Sequence, residues 1–166
     1  MAVRCKLLGA IVMVIAAASW AQDLPFGLGE WEVNGRGNHR ALVEVTEPSD
    51  AVWVRINWRR RDPNPETKDI RIFDAKTGKR ITNVVKVTVT QEFGELIFQP
   101  TSGAGIYEVY YLPYETPKHP MPGEWWKSWY FRPEETADPE WRKRNKLTDD
   151  ALALGEWRQK LPQAKV

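Results

Sequence analysis

The sequence predicts a mainly β fold: an antiparallel β-sandwich, immunoglobulin-like or jelly-roll, followed by two short carboxy-terminal helices. Three observations predict it. Short runs between His39 and Tyr114 alternate apolar and polar residues with a period of two. Turn-forming residues separate these runs at short intervals. A helical period appears only after Pro133. The chain has 166 residues, 42% hydrophobic and 28% charged, which suits a single globular domain and excludes disorder throughout.

The first element is an address. Arg4 and Lys6 precede an apolar run from Leu7 to Ala18, and Ser19-Trp20-Ala21 puts small residues where a signal peptidase reads. A secretory signal peptide over residues 1–21, cleaved after Ala21, is expected, with the mature chain secreted or periplasmic and free of the membrane. A spanning helix needs about 20 apolar residues, and this run stops short. Cys5 precedes the run, so it cannot serve as a lipidation site after it, and the mature chain would have no thiol, disulfide or Cys-based metal site. The whole chain carries 24 basic and 22 acidic residues. Without Arg4 and Lys6 the two balance, so a nucleic-acid partner has no electrostatic footprint. What remains after residue 21 is long enough to bury roughly 70% of its unfolded surface, enough for an independent core.

Six strands follow in order. The first carries Ala41, Val43 and Val45 on one face. The second puts Val52, Val54, Ile56 and Trp58 on one face and Trp53, Arg55, Asn57 and Arg59 on the other. Ile70 with Ile72, then Val85, Val87 and Val89, then Leu96 with Phe98, then Tyr107, Val109 and Tyr111 continue the pattern. The links between them are Glu47 to Asp50, Asp62 to Pro65, Lys76 to Lys79, Phe93 to Glu95 and Pro100 to Gly105. This gives a sandwich over residues 22–132, its last strand holding the aromatics from Trp125 to Phe131. The strand order is not readable from the pattern.

Residues 133–166 read as a helical connector. Asp138 is the expected N-cap with Pro139 at the first helical position, and Thr148 opens a second helix with Leu147 and Leu152 as a hydrophobic staple. Ala151, Leu154, Trp157 and Leu161 recur at helical spacing until Pro162. That stripe needs a partner, and a following domain is expected to supply part of it. The extended Ala164-Lys165-Val166 is read as the start of the path towards that domain.

Two groups of residues are candidates for binding. Arg59 and Arg61, in Arg59-Arg60-Arg61-Asp62-Pro63-Asn64-Pro65-Glu66, either belong to a solvated strand connection with Arg–carboxylate pairs or grip a carboxylate or sulfate in a bidentate way. Trp53, Trp125, Trp126 and Trp129 either pack a core or interface, or present flat rings to a sugar. Asp62, Asn64, Glu66 and Asp69 offer oxygens, but the two prolines and the missing glycine depart from a helical calcium loop, so no metal is assigned. His39 and His119 have no serine, cysteine or metal-ligand motif beside them, and Glu134-Glu135 reads as a charge pair before a helix. No catalytic residue and no cofactor is assigned.

The strings NHRALVEV from Asn38, WRRRDPNPETKDI from Trp58, DAKTGKRITNV from Asp74, EFGELIFQP from Glu92, GIYEVYYLPY from Gly105 and PEETADPEW from Pro133 have a further significance. Together they resemble the amino-terminal region of large secreted bacterial glycoside hydrolase domain-containing proteins, similar to glycoside hydrolase family 123. The resemblance spans Gly35 to Val166. It implies a β-sandwich, then helices, then a catalytic (β/α) barrel in cis. In that family an acid and a neighbouring carboxylate assist the substrate's own acetamido group in cleaving N-acetylgalactosaminides. None of those carboxylates maps onto this chain, which reads as a non-catalytic leading portion of an enzyme. The alternative is a stand-alone carbohydrate-binding or adhesion module.

Overall fold

The computed structural model describes residues 30–33, 35–115 and 129–166. The expected signal peptide, His119, Trp125 and Trp126 lie outside the described residues. The elements are β1 (Arg40–Val45), β2 (Val52–Asn57), a 3-10 turn (Pro65–Thr67), β3 (Arg71–Asp74), β4 (Arg80–Ile81), β5 (Val84–Val89), β6 (Phe93–Phe98), β7 (Gly105–Tyr110), β8 (Tyr114–Glu115), β9 (Trp129–Tyr130), α1 (Pro139–Arg144), α2 (Asp149–Leu154) and α3 (Trp157–Lys160). Among the described residues no helix is long and apolar enough to cross a membrane.

One sheet has the order β1-β7-β3-β4 and the other β2-β6-β5, with every named pair antiparallel. Between them lies a core of Val43, Val45, Val52, Val54, Ile56, Trp58, Ile72, Leu96, Phe98, Tyr107 and Val109. The period-two pattern thus put its apolar residues on the inner faces. The first strand, β1, pairs with the last strand of the sandwich, β7, and the second, β2, pairs with the one before it, β6.

Two sequence expectations are corrected within the sheets: the shared face of Val85, Val87 and Val89, and the link from Phe93 to Glu95, which lies inside β6. Val85, Val87 and Val89 do not share a face, because the pairing of β5 with β6 shifts register between Lys86 and Thr88. That bulge leaves Val85 and Val87 on the outside and turns Val89 to the core. At Gly94 the missing side chain is what admits Trp58: a Cβ there would lie 2.0 Å from the Trp58 ring. Trp58 donates its indole hydrogen to the Thr90 carbonyl at 2.9 Å.

The outer face of β2-β6-β5 is not wholly wet, as the alternation had implied. Trp53, Val85 and Ile97 are buried there under Ala137, Trp141, Leu147 and Trp157. Asp138 caps α1 by accepting from the Trp141 amide at 2.9 Å, and Thr148 caps α2 by accepting from Ala151 at 3.3 Å. Leu147 and Leu152 both pack into this outer cluster, as the staple requires. The continuous helix expected from Thr148 to Leu161 is instead broken at Gly155, which takes a left-handed C-cap at φ 71°. The break removes Leu154 from the stripe and leaves it 74% exposed, while Trp157 turns inward to 3%. The partner for Trp157 is therefore within this chain.

The last residues bind the two sheets together. Trp53 donates its amide to the Pro162 carbonyl (3.0 Å) and accepts from the Ala164 amide (2.8 Å). Lys165 then exchanges both backbone bonds with Glu44 of β1, at 2.9 and 3.0 Å. The segment thus spans from the edge of one sheet to the edge of the other, and Ala164 enters the inner core.

Candidate functional site

The site residues proposed from sequence scatter over three environments. Trp53 is the clearest correction. It is 9% exposed, its ring lies 5.3 Å from that of Trp157 at an interplanar angle of 77°, and its indole nitrogen is buried without a partner among the described residues. Burial beneath α3 removes the flat face that a sugar would need, so the ring belongs to packing. The alternation had assigned Trp53 to a polar face because the helices that cover it come more than 80 residues later in the chain.

Arg59 and Arg61 flank a residue of the opposite character. Arg60, between them, is buried and forms a two-pronged pair with Asp62 at 2.9 and 2.8 Å, with a longer contact to the Pro65 carbonyl. This is the structural role that the sequence offered for the run, fulfilled by its middle member. Arg59 and Arg61 point to solvent and meet no carboxylate among the described residues. Arg59 lines a shallow cleft of about 500 Å³ with Arg55, Asn57, Trp58, Glu92 and Phe93. The Arg55 guanidinium lies 3.6 Å from the Phe93 ring centroid and 3.4 Å from the Glu95 carboxylate, which also takes a 2.6 Å bond from Arg158. Glu95 thereby marks the border between the helix-covered half of this sheet face and its open half.

Among the described candidate rings, Trp129 stands free, at 65% exposure. It pairs with Glu115 in the two-stranded β8–β9 ribbon, beside Tyr130 opposite Tyr114. The rings of Tyr114 and Tyr130 meet edge to face at 5.9 Å. Backbone bonds hold the ribbon's continuation to the sandwich: Phe131 accepts from the Asp69 amide at 2.9 Å and donates to the Pro113 carbonyl at 3.2 Å. Arg71 lies over the Phe131 ring at 3.7 Å. Tyr130 and Arg132 were not singled out from the sequence. Their signal was their spacing of two beside Trp129, which in an extended segment puts two side chains on one side.

Asp69, considered among the oxygen donors for calcium, is buried and engaged by Arg71 (3.1 Å), Lys86 (3.0 Å) and Arg80 (3.6 Å). Three cations around one carboxylate leave no place for a divalent ion. Among the described residues no group of three or more His, Cys, Asp or Glu side chains is arranged to hold a metal.

The profile described as glycoside hydrolase 123, N-terminal domain, matches residues 29–166. It includes the helices and the final segment along with the strands, in keeping with the single packed unit that they form. No curated protein and no solved structure matches. With the match running over most of its length, the chain belongs to the family of glycoside hydrolase 123 N-terminal domains.

Proposed function

We propose that this chain is the exported, non-catalytic amino-terminal domain of a glycoside hydrolase, serving to support a catalytic barrel in cis, with N-acetylgalactosaminides as the substrate class. The family match over residues 29–166 carries this reading. Export rests on Arg4, Lys6 and the apolar run to Ala18. The final segment suits a supporting role, because residues 162–165 are bonded to both sheets and would transmit any load on the chain to the whole sandwich.

The test is a comparison of this chain with a longer product of the same gene that includes the sequence after Val166. Release of an aryl aglycone from an N-acetylgalactosaminide by the longer product and not by this chain is the expected result. Turnover by this chain alone would refute the non-catalytic assignment. Amino-terminal sequencing of exported protein should begin at Gln22, and a retained Met1 would remove the export step.

A second reading, a carbohydrate-binding or adhesion module, is favoured by one observation: Trp129 and Tyr130 are both large, aromatic and exposed. The two readings are compatible if the domain both supports the barrel and contacts glycan. In that case Trp129, with Trp125 and Trp126, provides the rings.

A further inference from the structure

We propose that the cleft between the Pro65–Thr67 turn and the segment following β9 binds acidic glycans, meaning sugars that carry a carboxylate or a sulfate. This rests on the reading that glycan is a ligand of the domain, and it adds a location and a charge class. The cleft encloses about 610 Å³ and is lined by Thr67, Lys68, Tyr130, Arg132 and Pro133.

Its chemistry separates it from the other clefts. The one beside Arg59 contains Glu92, and the one between α1 and α3 contains Asp149 and Glu156. Here the described lining residues include two cations and no acid. Arg132 pairs with no carboxylate among the described residues, while Lys68 bonds to the Thr67 hydroxyl at 3.2 Å and attracts the Asp62 carboxylate, which already forms a two-pronged pair with Arg60. A guanidinium with no carboxylate partner among the described residues, facing the same space as an ammonium, favours an anionic ligand, and the planar fork of arginine matches a carboxylate or a sulfate. An inorganic anion would have no use for the rest of the wall. Tyr130 is 43% exposed and, with Pro133, offers apolar surface to the C–H face of a pyranose. The Thr67 hydroxyl adds a polar group at the rim.

The walls are also held in place before any ligand arrives. Tyr130 is braced by Tyr114, and the backbone of Phe131 is bonded on both sides. Opposite, the Thr67 hydroxyl donates to the Asn64 carbonyl at 2.7 Å, and the Lys68 amide closes the 3-10 turn onto Pro65 at 3.1 Å. Such bracing lowers the ordering cost of binding.

Affinity electrophoresis of the whole chain tests the proposal, in gels containing polygalacturonate, a sulfated galactan, a neutral galactan or poly-L-glutamate. Retardation by one or both acidic polysaccharides, stronger than by the neutral galactan or by poly-L-glutamate, is expected. Polygalacturonate alone would assign the charge to a carboxylate, and the sulfated galactan alone to a sulfate. Arg132→Gln and Tyr130→Ala should each weaken retardation by at least ~10-fold. Removing two charges at the far end of β3, with Lys76→Gln and Lys79→Gln together, should leave it unchanged. All of these side chains are exposed, so an unaltered melting temperature certifies each variant. Equal retardation by poly-L-glutamate, or equal loss in the Lys76/Lys79 variant, would mean unspecific charge attraction and overturn the proposal. If the neutral galactan binds as well and Arg132→Gln has no effect, the acidic preference falls while glycan contact stands. No retardation by any polysaccharide would remove both, leaving the hydrolase assignment to its own activity test.

Discussion

Trp53 and Trp129 were equal candidates for a sugar platform, yet one is 9% and the other 65% exposed. Both occupy strands, so strand geometry did not separate them. What separates them is the layer that arrives later in the chain. Trp53 lies under α3 and the outer cluster, while Trp129 projects from a two-stranded ribbon. For these two tryptophans exposure is set by whether a helix covers the ring, and the covered and uncovered regions can be probed separately.

The largest effect is expected where the covered region is deepest. Trp157→Ala deletes a ring at 3% exposure that packs on Trp53 and donates to the Leu152 carbonyl at 3.2 Å. It should cost ~3–5 kcal/mol in denaturant unfolding, the range for large aromatic deletions in a core. It should also raise the exposure of Trp53, read by quenching of its fluorescence with iodide. A loss below about 1 kcal/mol with no change in quenching would mean that α3 is only loosely docked on the sheet.

The next probe acts on the same layer through its start. Asp138→Ala removes the acceptor for the Trp141 amide at the opening of α1. Caps of this kind contribute ~1 kcal/mol. Asp138→Asn should restore the stability and Asp138→Gly should cost only a few tenths of a kcal/mol, and a loss for Asp138→Asn as large as for Asp138→Ala would show that the side-chain acceptor is not what matters.

These two probes bear on how much the sequence could say. Caps, the staple and Pro162 were legible because their signals are local: one residue type at one position relative to a helix. The inner faces were legible for the same reason, since the period of two needs no knowledge of neighbours. The bulge at Val87 was not, because it arises from pairing with β6, and neither was the fate of Leu154, because Gly155 was read past as part of a stripe. At the candidate site, solvent-facing Arg59 and Arg61 and the internal pairing of Arg60 were foreseeable from an Arg-Arg-Arg-Asp run. The cleft joining Lys68 to Arg132 was not, because it brings together residues 64 positions apart in the sequence.

A third probe uses acid to loosen the covered region without touching its core. The hydrogen bond from Arg144 is the largest influence on Asp50. With those from Asn145 and Gln99 it outweighs the opposing effect of desolvation and holds the carboxyl at about 2, against an ordinary 3.8. The folded value lies below the unfolded one, so the unfolded chain takes up the proton first. The stabilisation is full above the unfolded value and is lost as pH falls from there through about 2. Asp50 joins Gln99 to α1, and its carbonyl accepts from Trp141 at 2.9 Å, so the loosening should appear first in α1. Asp50→Asn should flatten the decline of the unfolding midpoint over that window. Equal slopes in the two proteins would show that another group carries it.

The smallest effect on stability is expected at Trp129, and it is the most informative about function. A ring at 65% exposure buries little area, so Trp129→Ala should change unfolding by no more than about 0.5 kcal/mol, the usual range for a surface position away from caps and networks. Its neighbours do not depend on it. The backbone bonds of Phe131 to Asp69 and Pro113 hold the segment, and Tyr130 is braced by Tyr114. If the cost instead exceeds about 1.5 kcal/mol, the ring is performing a structural task, and the contrast with Trp53 collapses into two forms of packing. If stability is unchanged while retention on a glycan falls, the exposed ring is being kept for contact. A cost in solvation that stability does not require would then be explained by a ligand, which is the distinction that burial alone cannot draw.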